Sequence, residues 1–383
     1  MRAIRAARSL LAQESEFSKL ADEGSFLLPV GVNTSDFFTW DELNRLINYS
    51  GVTRNLLRDG SRTDNAETKE ILAALQNGAT LQLENIELFS PHMAEVCGQL
   101  TVMLGNAAIR CNVYLAPSSE HVGFRAHHDV VDAFMVQISG RKRWKVWEPL
   151  IEHPVWVMKE HVQDVSGRDP LIDVTLEPGS VLFLRRGDPH LAQCVGDEPS
   201  LHLTIGIHRV TAQDVLDWLI QETKQVGKFR RSWPWHKEAP GIDGSQVQWM
   251  NTLLHDLQEW LSSKSASSWL DAFKNHRAAT RRVPGVVYAP GMVSARFAEV
   301  APSSKVVLSH PMLPARVSKH TLYGLRKEIE LPAPFVPLAQ WLVSHPLQAI
   351  SVGELSGEYE LPVQQVCQFI EELLELGFVR IQE

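Results

Sequence analysis

The sequence predicts an α+β protein in which a central block of short strands stands between helical segments. Three observations predict it. Residues 108–210 hold brief β-rich runs ("IRCNVYLAP", "DAFMVQI", "KRWKVWEP", "SVLFLRR", "LHLTIGI") separated by Gly, Pro and Asp turns, the texture of a jelly-roll or cupin-type barrel. Before that block and again after His208, apolar residues recur at three- and four-residue steps, the period of helices. Beyond residue 283 a strand- and turn-like stretch precedes three short helices and a strand, the order of a winged helix. These changes of texture divide the chain into residues 1–209, 210–282 and 283–383.

The elements follow in order. "MRAIRAARSLLAQESEF" is basic, amphipathic and soon acidic, and reads as a surface helix rather than a transit peptide. "FTWDELNRLINYSG" starts on a Thr39 cap followed by acids and stops at Gly51. "SPHMAEVCGQLTVMLG" has Ser90 as cap, Pro91 at the first helical position and Gly105 as stop. "DAFMVQISGRKRWKVW" reads as a hairpin turning near Ser139–Gly140. After the strands, "TAQDVLDWLIQETKQVGKF" and "SQVQWMNTLLHDLQEWLSSKSASSWLDAF" are helical, with Trp249, Leu253, Leu257, Trp260 and Leu261 at core spacing. So much apolar face predicts a homodimer through this region. "PLAQWLVSH", "SVGELSGEY" and "LPVQQVCQFIEELLELG" are the three late helices, and "FVRI" the closing strand.

Bulk properties narrow the function. The chain has 383 residues, 44% of them hydrophobic, enough for two or three domains. No apolar run approaches the ~18 residues of a membrane span. The four cysteines, Cys97, Cys111, Cys194 and Cys367, lack CxxC or paired spacing, which fits a reducing cytoplasm and neither a disulfide frame nor a structural zinc site. A net charge of -8 disfavours non-specific nucleic-acid binding. Residues 331–383 hold seven glutamates against Arg380 alone, and their would-be recognition helix is itself acidic, so DNA binding is not expected. Residues 276–330 lean the other way, with nine Lys or Arg against three acids, and read as a solvated face.

One stretch carries the chemistry. "FRAHHDVVDAF" (124–134) packs two histidines and two aspartates into an otherwise apolar strand, where they are costly unless paired. Strand alternation sends His127 and Asp129 one way and His128 the other. A His-x-Asp pair completed by a distant histidine is the pattern of the two-His-one-carboxylate facial triad of Fe(II) sites. "LEPGSVLFLRRGDPHLAQ" supplies that histidine: a turn, an apolar strand, a second turn, then His190, sixty-one residues beyond Asp129.

With these motifs in view, the sequence resembles the JmjC-type ribosomal oxygenases, Fe(II)- and 2-oxoglutarate-dependent protein hydroxylases. The matching stretches are "NVYLAP", "GFRAHHD", "DAFMVQISGRKRW", "PGSVLFLRRGDPH" and "SLHLTIGIH", in that order. The resemblance implies a double-stranded β-helix (JmjC/cupin jelly roll), a helical dimerisation region and a C-terminal winged helix. It implies His127, Asp129 and His190 as iron ligands. Lys142, fifteen residues after His127, falls where the family places the basic partner of the distal carboxylate of 2-oxoglutarate. Asn112, Tyr114 and His202 match polar positions near the co-substrate or the metal. Arg141 and Arg143 should alternate outward into solvent.

The chain also departs from the pattern. His128 stands where an aromatic such as tyrosine is usual, and alternation makes it a packing or surface residue. Gly206 replaces a serine that several relatives carry near the co-substrate. The implied activity is hydroxylation of an arginine or histidine side chain of a ribosomal protein. Two alternatives stay open: a hydroxylase of a natural-product precursor peptide, and a non-catalytic cupin-like binding or regulatory protein.

Overall fold

The structure is a computed structural model that describes residues 2–11, 14–29, 31–105, 107–117, 123–158, 164–233, 244–280, 299–309, 315–346 and 348–382. The chain packs as two compact units. One comprises Met1–Arg209, Arg282–Pro314 and Trp341–Glu383; the other comprises Val210–Arg281 and Ala315–Gln340.

The first unit is built on strands β1 (Phe26–Leu27), β2 (Thr53–Arg58), β3 (Ser61–Thr63), β4 (Thr80–Glu84), β5 (Ala108–Ala116), β6 (Asp132–Ser139), β7 (Lys142–Val146), β8 (Ile172–Leu176), β9 (Val181–Leu184), β10 (His190–Cys194) and β11 (Ser200–His208). They form an eight-stranded sheet, ordered β1-β9-β6-β11-β5-β4-β2-β3, and a three-stranded sheet, ordered β10-β7-β8. All the pairings are antiparallel. This is the jelly roll that the strand texture predicts.

Strand alternation sorts each residue to a face. On β11, Leu201, Leu203, Ile205 and Ile207 join the main core, with Leu81, Leu83, Ile109, Val113, Phe134, Val136 and Phe183 from neighbouring strands. Helices α1 (Arg2–Leu10), α2 (Glu14–Glu23), α3 (Trp40–Ile47), α4 (Thr68–Gln76) and α5 (Pro91–Met103) precede β5. Several of them contribute to that core, including Ala6 and Leu10 of α1, Leu43 of α3, and Met93 and Val96 of α5. The opposite faces meet in a second cluster between the sheets: Ala133, Met135, Trp144, Val146, Leu176, Leu182 and Leu184. β6 is therefore buried on both sides along nearly its whole length, which is why "DAFMVQI" shows no polar alternation.

The caps fall where the sequence places them. Thr39 Oγ1 accepts from Glu42 N at 3.2 Å, and Ser90 Oγ accepts from Met93 N at 3.3 Å. Gly105 follows α5 with φ +63°, the left-handed stop that glycine favours.

Three expectations need correction. β6 and β7 do not form a hairpin: they lie in different sheets, and the chain crosses between them at Gly140. There φ is +63° and a Cβ would lie 2.2 Å from Pro199 O, so only glycine permits the crossing. Residues 1–80 are more than helices and loops, because β1 and β2, β3 and the start of β4 extend the large sheet at its two edges. The first helix is also no mere surface element; Ala3, Ala6, Ala7 and Leu10 are buried.

In the second unit α6 (Ala212–Thr223), α7 (Gly244–Ser262) and α8 (Ala266–Thr280) accompany a three-stranded antiparallel sheet of Arg316–Ser318, Thr321–Gly324 and Lys327–Glu330. Its aromatic cluster is Trp218, Trp260, Trp269 and Phe273. The expected core role of Trp249, Leu253, Leu257, Trp260 and Leu261 is not met within one chain, for α7 has no buried residue. The last part of the first unit pairs strands Ile350–Ser351, Lys305–Leu308 and Val379–Gln382 beside helices Val352–Glu358 and Val363–Glu375. Among the described residues no helix is long and apolar enough to cross a membrane.

Candidate functional site

His127 and Asp129 lie in the loop that leads into β6, and His190 opens β10. Two main-chain hydrogen bonds tie the loop to the strand: His127 N to His190 O at 3.2 Å, and His190 N to His127 O at 2.8 Å. The three side chains converge, so that one ligand atom from each lies within 4.8 Å of the others. His190 Nε2 stands 3.8 Å from Asp129 Oδ2.

The imidazoles are oriented through their other nitrogens. His127 Nδ1 pairs with Arg125 O at 2.8 Å, and His190 Nδ1 pairs with Asp188 O at 3.1 Å. A carbonyl only accepts, so each Nδ1 carries a proton and Nε2 is the nitrogen of each ring left to ligate. Burial, with His127 adding to it, pushes His190 down to about 4, so its ring is neutral at neutral pH. Two imidazoles and a carboxylate make a donor set suited to a divalent transition metal.

His128 does not join them. It is buried, and its Nε2 pairs with Met158 O at 3.1 Å, which makes it a packing residue. Asp132, the other aspartate of the stretch, is buried against Arg209 Nε at 2.6 Å and accepts from Arg186 N at 2.9 Å.

Lys142 is only 6% exposed and lies directly opposite Cys194 in the strand register. It has no carboxylate partner among the described residues, and burial pulls its ammonium below the usual lysine range. His202 is also buried, pushed well below its ordinary value by burial and by Lys142. Tyr114 stacks on His202 at 4.9 Å between ring centres, and its hydroxyl accepts from Gln82 Nε2 at 2.8 Å. Asn112 is partly committed, since its Oδ1 accepts from Asn85 N at 3.0 Å. Gly206 faces ordinary packing space, with Val131 Cγ2 3.6 Å from where a Cβ would sit. Arg143 pairs with Asp173 at 2.6 Å and Arg141 approaches Glu177 at 4.0 Å, both at the surface as alternation requires.

The register aligns a polar row that the sequence does not announce. Asn55, Gln82, Tyr114, His202 and Gln137 are neighbours across β2, β4, β5, β11 and β6. Two buried ring nitrogens stand beside Lys142 without a partner among the described residues, the Trp144 Nε1 donor and His202 Nδ1. Trp144 lies on the same strand face as Lys142, with its ring 5.6 Å from His202. Period-two spacing from Lys142 is the signal that finds it. A buried cation with an unsatisfied donor nearby is the complement of an anion.

Comparison with known proteins places this geometry. Residues 85–215 match the JmjC domain. The chain is 36% identical over 137 residues to Ribosomal oxygenase 1 of Danio rerio, covering 35% of this chain and 25% of that one. It is 29% identical over 190 residues to the bifunctional lysine-specific demethylase and histidyl-hydroxylase NO66 of Drosophila persimilis, covering 48% and 27%. The chain thus spans about a quarter of the length of these curated relatives. Among solved structures, the ribosomal oxygenase YcfD of Escherichia coli, in complex with cobalt and 2-oxoglutarate, superposes with a TM-score of 0.61 at 16% identity, covering 94% of this chain and 95% of that one. At that identity the likeness is one of fold.

Proposed function

We propose, from the premise that residues 85–215 are a JmjC domain of the ribosomal-oxygenase family, that this protein is an Fe(II)- and 2-oxoglutarate-dependent oxygenase hydroxylating a side chain of a protein or peptide. The observation that carries the reading is Lys142. An ammonium buried without a counter-charge is costly to the folded protein, and its place in the same barrel as His127, Asp129 and His190 fits a bound dicarboxylate. The relative solved with cobalt and 2-oxoglutarate supports it.

His127, Asp129 and His190 would hold the iron, and Lys142 the distal carboxylate. Ferrous iron with 2-oxoglutarate supplies, when bound, the oxidising power for an unactivated C–H bond, with succinate and CO2 as by-products. The remaining work belongs to this chain's own residues. The carbonyls of Arg125 and Asp188 hold the Nδ1 protons of His127 and His190, which leaves Nε2 of each ring as the nitrogen to face a metal. Burial keeps His202 neutral beside the lysine, so it offers a hydrogen bond there rather than a second charge. His202 and Tyr114 are read as co-substrate contacts, and Asn112 as a support for Tyr114, whose hydroxyl it contacts. The barrel wall would exclude water and hold one substrate carbon beside the bound iron.

The relatives' names favour a ribosomal protein as substrate and one of them names histidyl hydroxylation; arginine or histidine is proposed as the target residue on the family resemblance. We read the protein as cytoplasmic and homodimeric through α6–α8, with a C-terminal winged-helix-like module that scaffolds rather than binds DNA. Incubation with Fe(II), 2-oxoglutarate, ascorbate and ribosomal proteins, followed by mass spectrometry, tests the reading. The gain of one oxygen atom on a single peptide is expected. Loss of methyl groups instead would overturn hydroxylation in favour of demethylation.

A further inference from the structure

The metal-site reading leaves unexplained how the loop carrying His190 is held. Its residues Arg185–Asp188 connect β9 to β10, and the hydrogen bond from His190 Nδ1 ends on a carbonyl of that loop, Asp188 O. A carbonyl orients an imidazole only as well as its own loop is fixed.

Here the loop is fixed from outside the barrel. The Asp188 carboxylate is buried, and one of its oxygens accepts from both Ser25 Oγ at 2.7 Å and Ser25 N at 3.2 Å. Its other oxygen accepts from Arg185 Nε at 3.2 Å and from the same guanidinium's NH2 at 2.9 Å. Ser25 Oγ accepts in turn from Arg185 N at 2.9 Å, so one hydroxyl both donates to the loop and receives from it. The Arg185 guanidinium also reaches back to Asp22 O at 3.1 Å. The same loop supports the other side of the site, because Gly187 N donates to Asp129 O at 2.9 Å.

We infer that Ser25 is a positioning residue of the metal site: through Asp188 and Arg185 it fixes the carbonyl that orients His190. Ser25 lies more than a hundred residues before the first ligand, and among the described contacts its hydroxyl bonds Asp188 and Arg185 and none of the three ligands. Its hydroxyl is the only side-chain group of the Asp22–Ser25 segment that bonds the loop among the described contacts. The inference rests on the metal-site reading above and adds to it a residue outside the motifs.

The test is Co(II) affinity of the metal-free protein, measured by competition titration, beside its melting temperature without metal. Ser25→Ala should weaken Co(II) binding about tenfold, the low end of the range for disturbing the outer hydrogen bond of a ligating histidine, because Asp188 O stays but loses its support. Ser25→Thr, which keeps the hydroxyl, should restore it. Asp188→Asn provides a second route to the same loss, because its amide must turn a donor toward either Ser25 or Arg185. Wild-type affinity in Ser25→Ala would overturn the inference while leaving the metal site intact. A loss in Ser25→Ala that Ser25→Thr shares, in step with a lower metal-free melting temperature, would reduce Ser25 to a structural role and overturn it too. No Co(II) binding by the wild type would overturn the metal-site reading, and this inference with it.

Discussion

Replacing Lys142 should move two quantities in opposite directions. Lys142→Met keeps the length of the side chain and removes the ammonium. In the metal-free protein that ammonium is buried, has no acid beside it among the described residues and carries a lowered pKa, so it costs folding energy. Its removal should leave stability unchanged or raise it. With 2-oxoglutarate bound, the same substitution strands a buried carboxylate. Breaking a buried charge pair costs about 3–5 kcal/mol. At about 1.4 kcal/mol per tenfold, the lower figure is a loss of about a hundredfold in co-substrate affinity. Lys142→Arg should be milder, since it keeps the charge but shifts the donors. The assay is calorimetric titration of 2-oxoglutarate into Mn(II)-loaded protein, with urea unfolding of the metal-free form alongside. Unchanged affinity, or a clear loss of metal-free stability in Lys142→Met, would refute the reasoning.

Other outcomes follow from the same structure. His128→Ala should leave metal affinity unchanged and cost about 1–3 kcal/mol in urea unfolding, the range for losing a buried hydrogen-bonded group such as its bond to Met158 O. His127→Ala, by contrast, should lower metal affinity sharply; equal damage from the two would show that His128 is a ligand. The metal-free protein should lose stability in acid, because burial depresses both His190, to about 4, and His202. Below about pH 6.5 the unfolded chain gains protons these rings refuse, at about 1.4 kcal/mol per pH unit for each. Glu87 and Asp132, raised by burial, act with the opposite sign at the acid end. Urea midpoints from pH 7 to 5.5 check this, and His202→Asn should flatten the slope. Light scattering should give a dimer's mass, and Glu at the exposed Leu254 and Leu261 of α7 should halve it; a wild-type monomer would count against the helical interface.

The jelly roll and the His-x-Asp pair were legible because they rest on short-range rules, although His127 and Asp129 lie in a loop rather than on the strand that alternation assumed, and His190 came from the later strand-and-turn pattern. The alternation of β11, the caps Thr39 and Ser90, and the His-x-Asp spacing each depend on a few neighbouring residues. What the sequence hid depends on distant partners. "TRNLLR" lacks strand alternation, yet it becomes β2 by pairing with β4. "DAFMVQISGRKRWKVW" looks like a hairpin, and only Pro199 packed against Gly140 reveals a crossing between sheets. Trp144 was within reach of the period-two rule that sends Arg141 and Arg143 outward, since it shares a strand face with Lys142. Ser25 was not, since nothing local in "EGSFLLP" tells of Asp188, 163 residues away.

The central claim is that His127, Asp129, His190 and Lys142 form one oxygenase centre. The most direct measurement is succinate formed from 2-oxoglutarate by the Fe(II)-loaded protein in air, with ribosomal proteins as substrate. The account predicts Fe(II)-dependent succinate, increased by the ribosomal proteins and abolished in Asp129→Ala. Succinate absent from the wild type, or formed equally by Asp129→Ala, would contradict it.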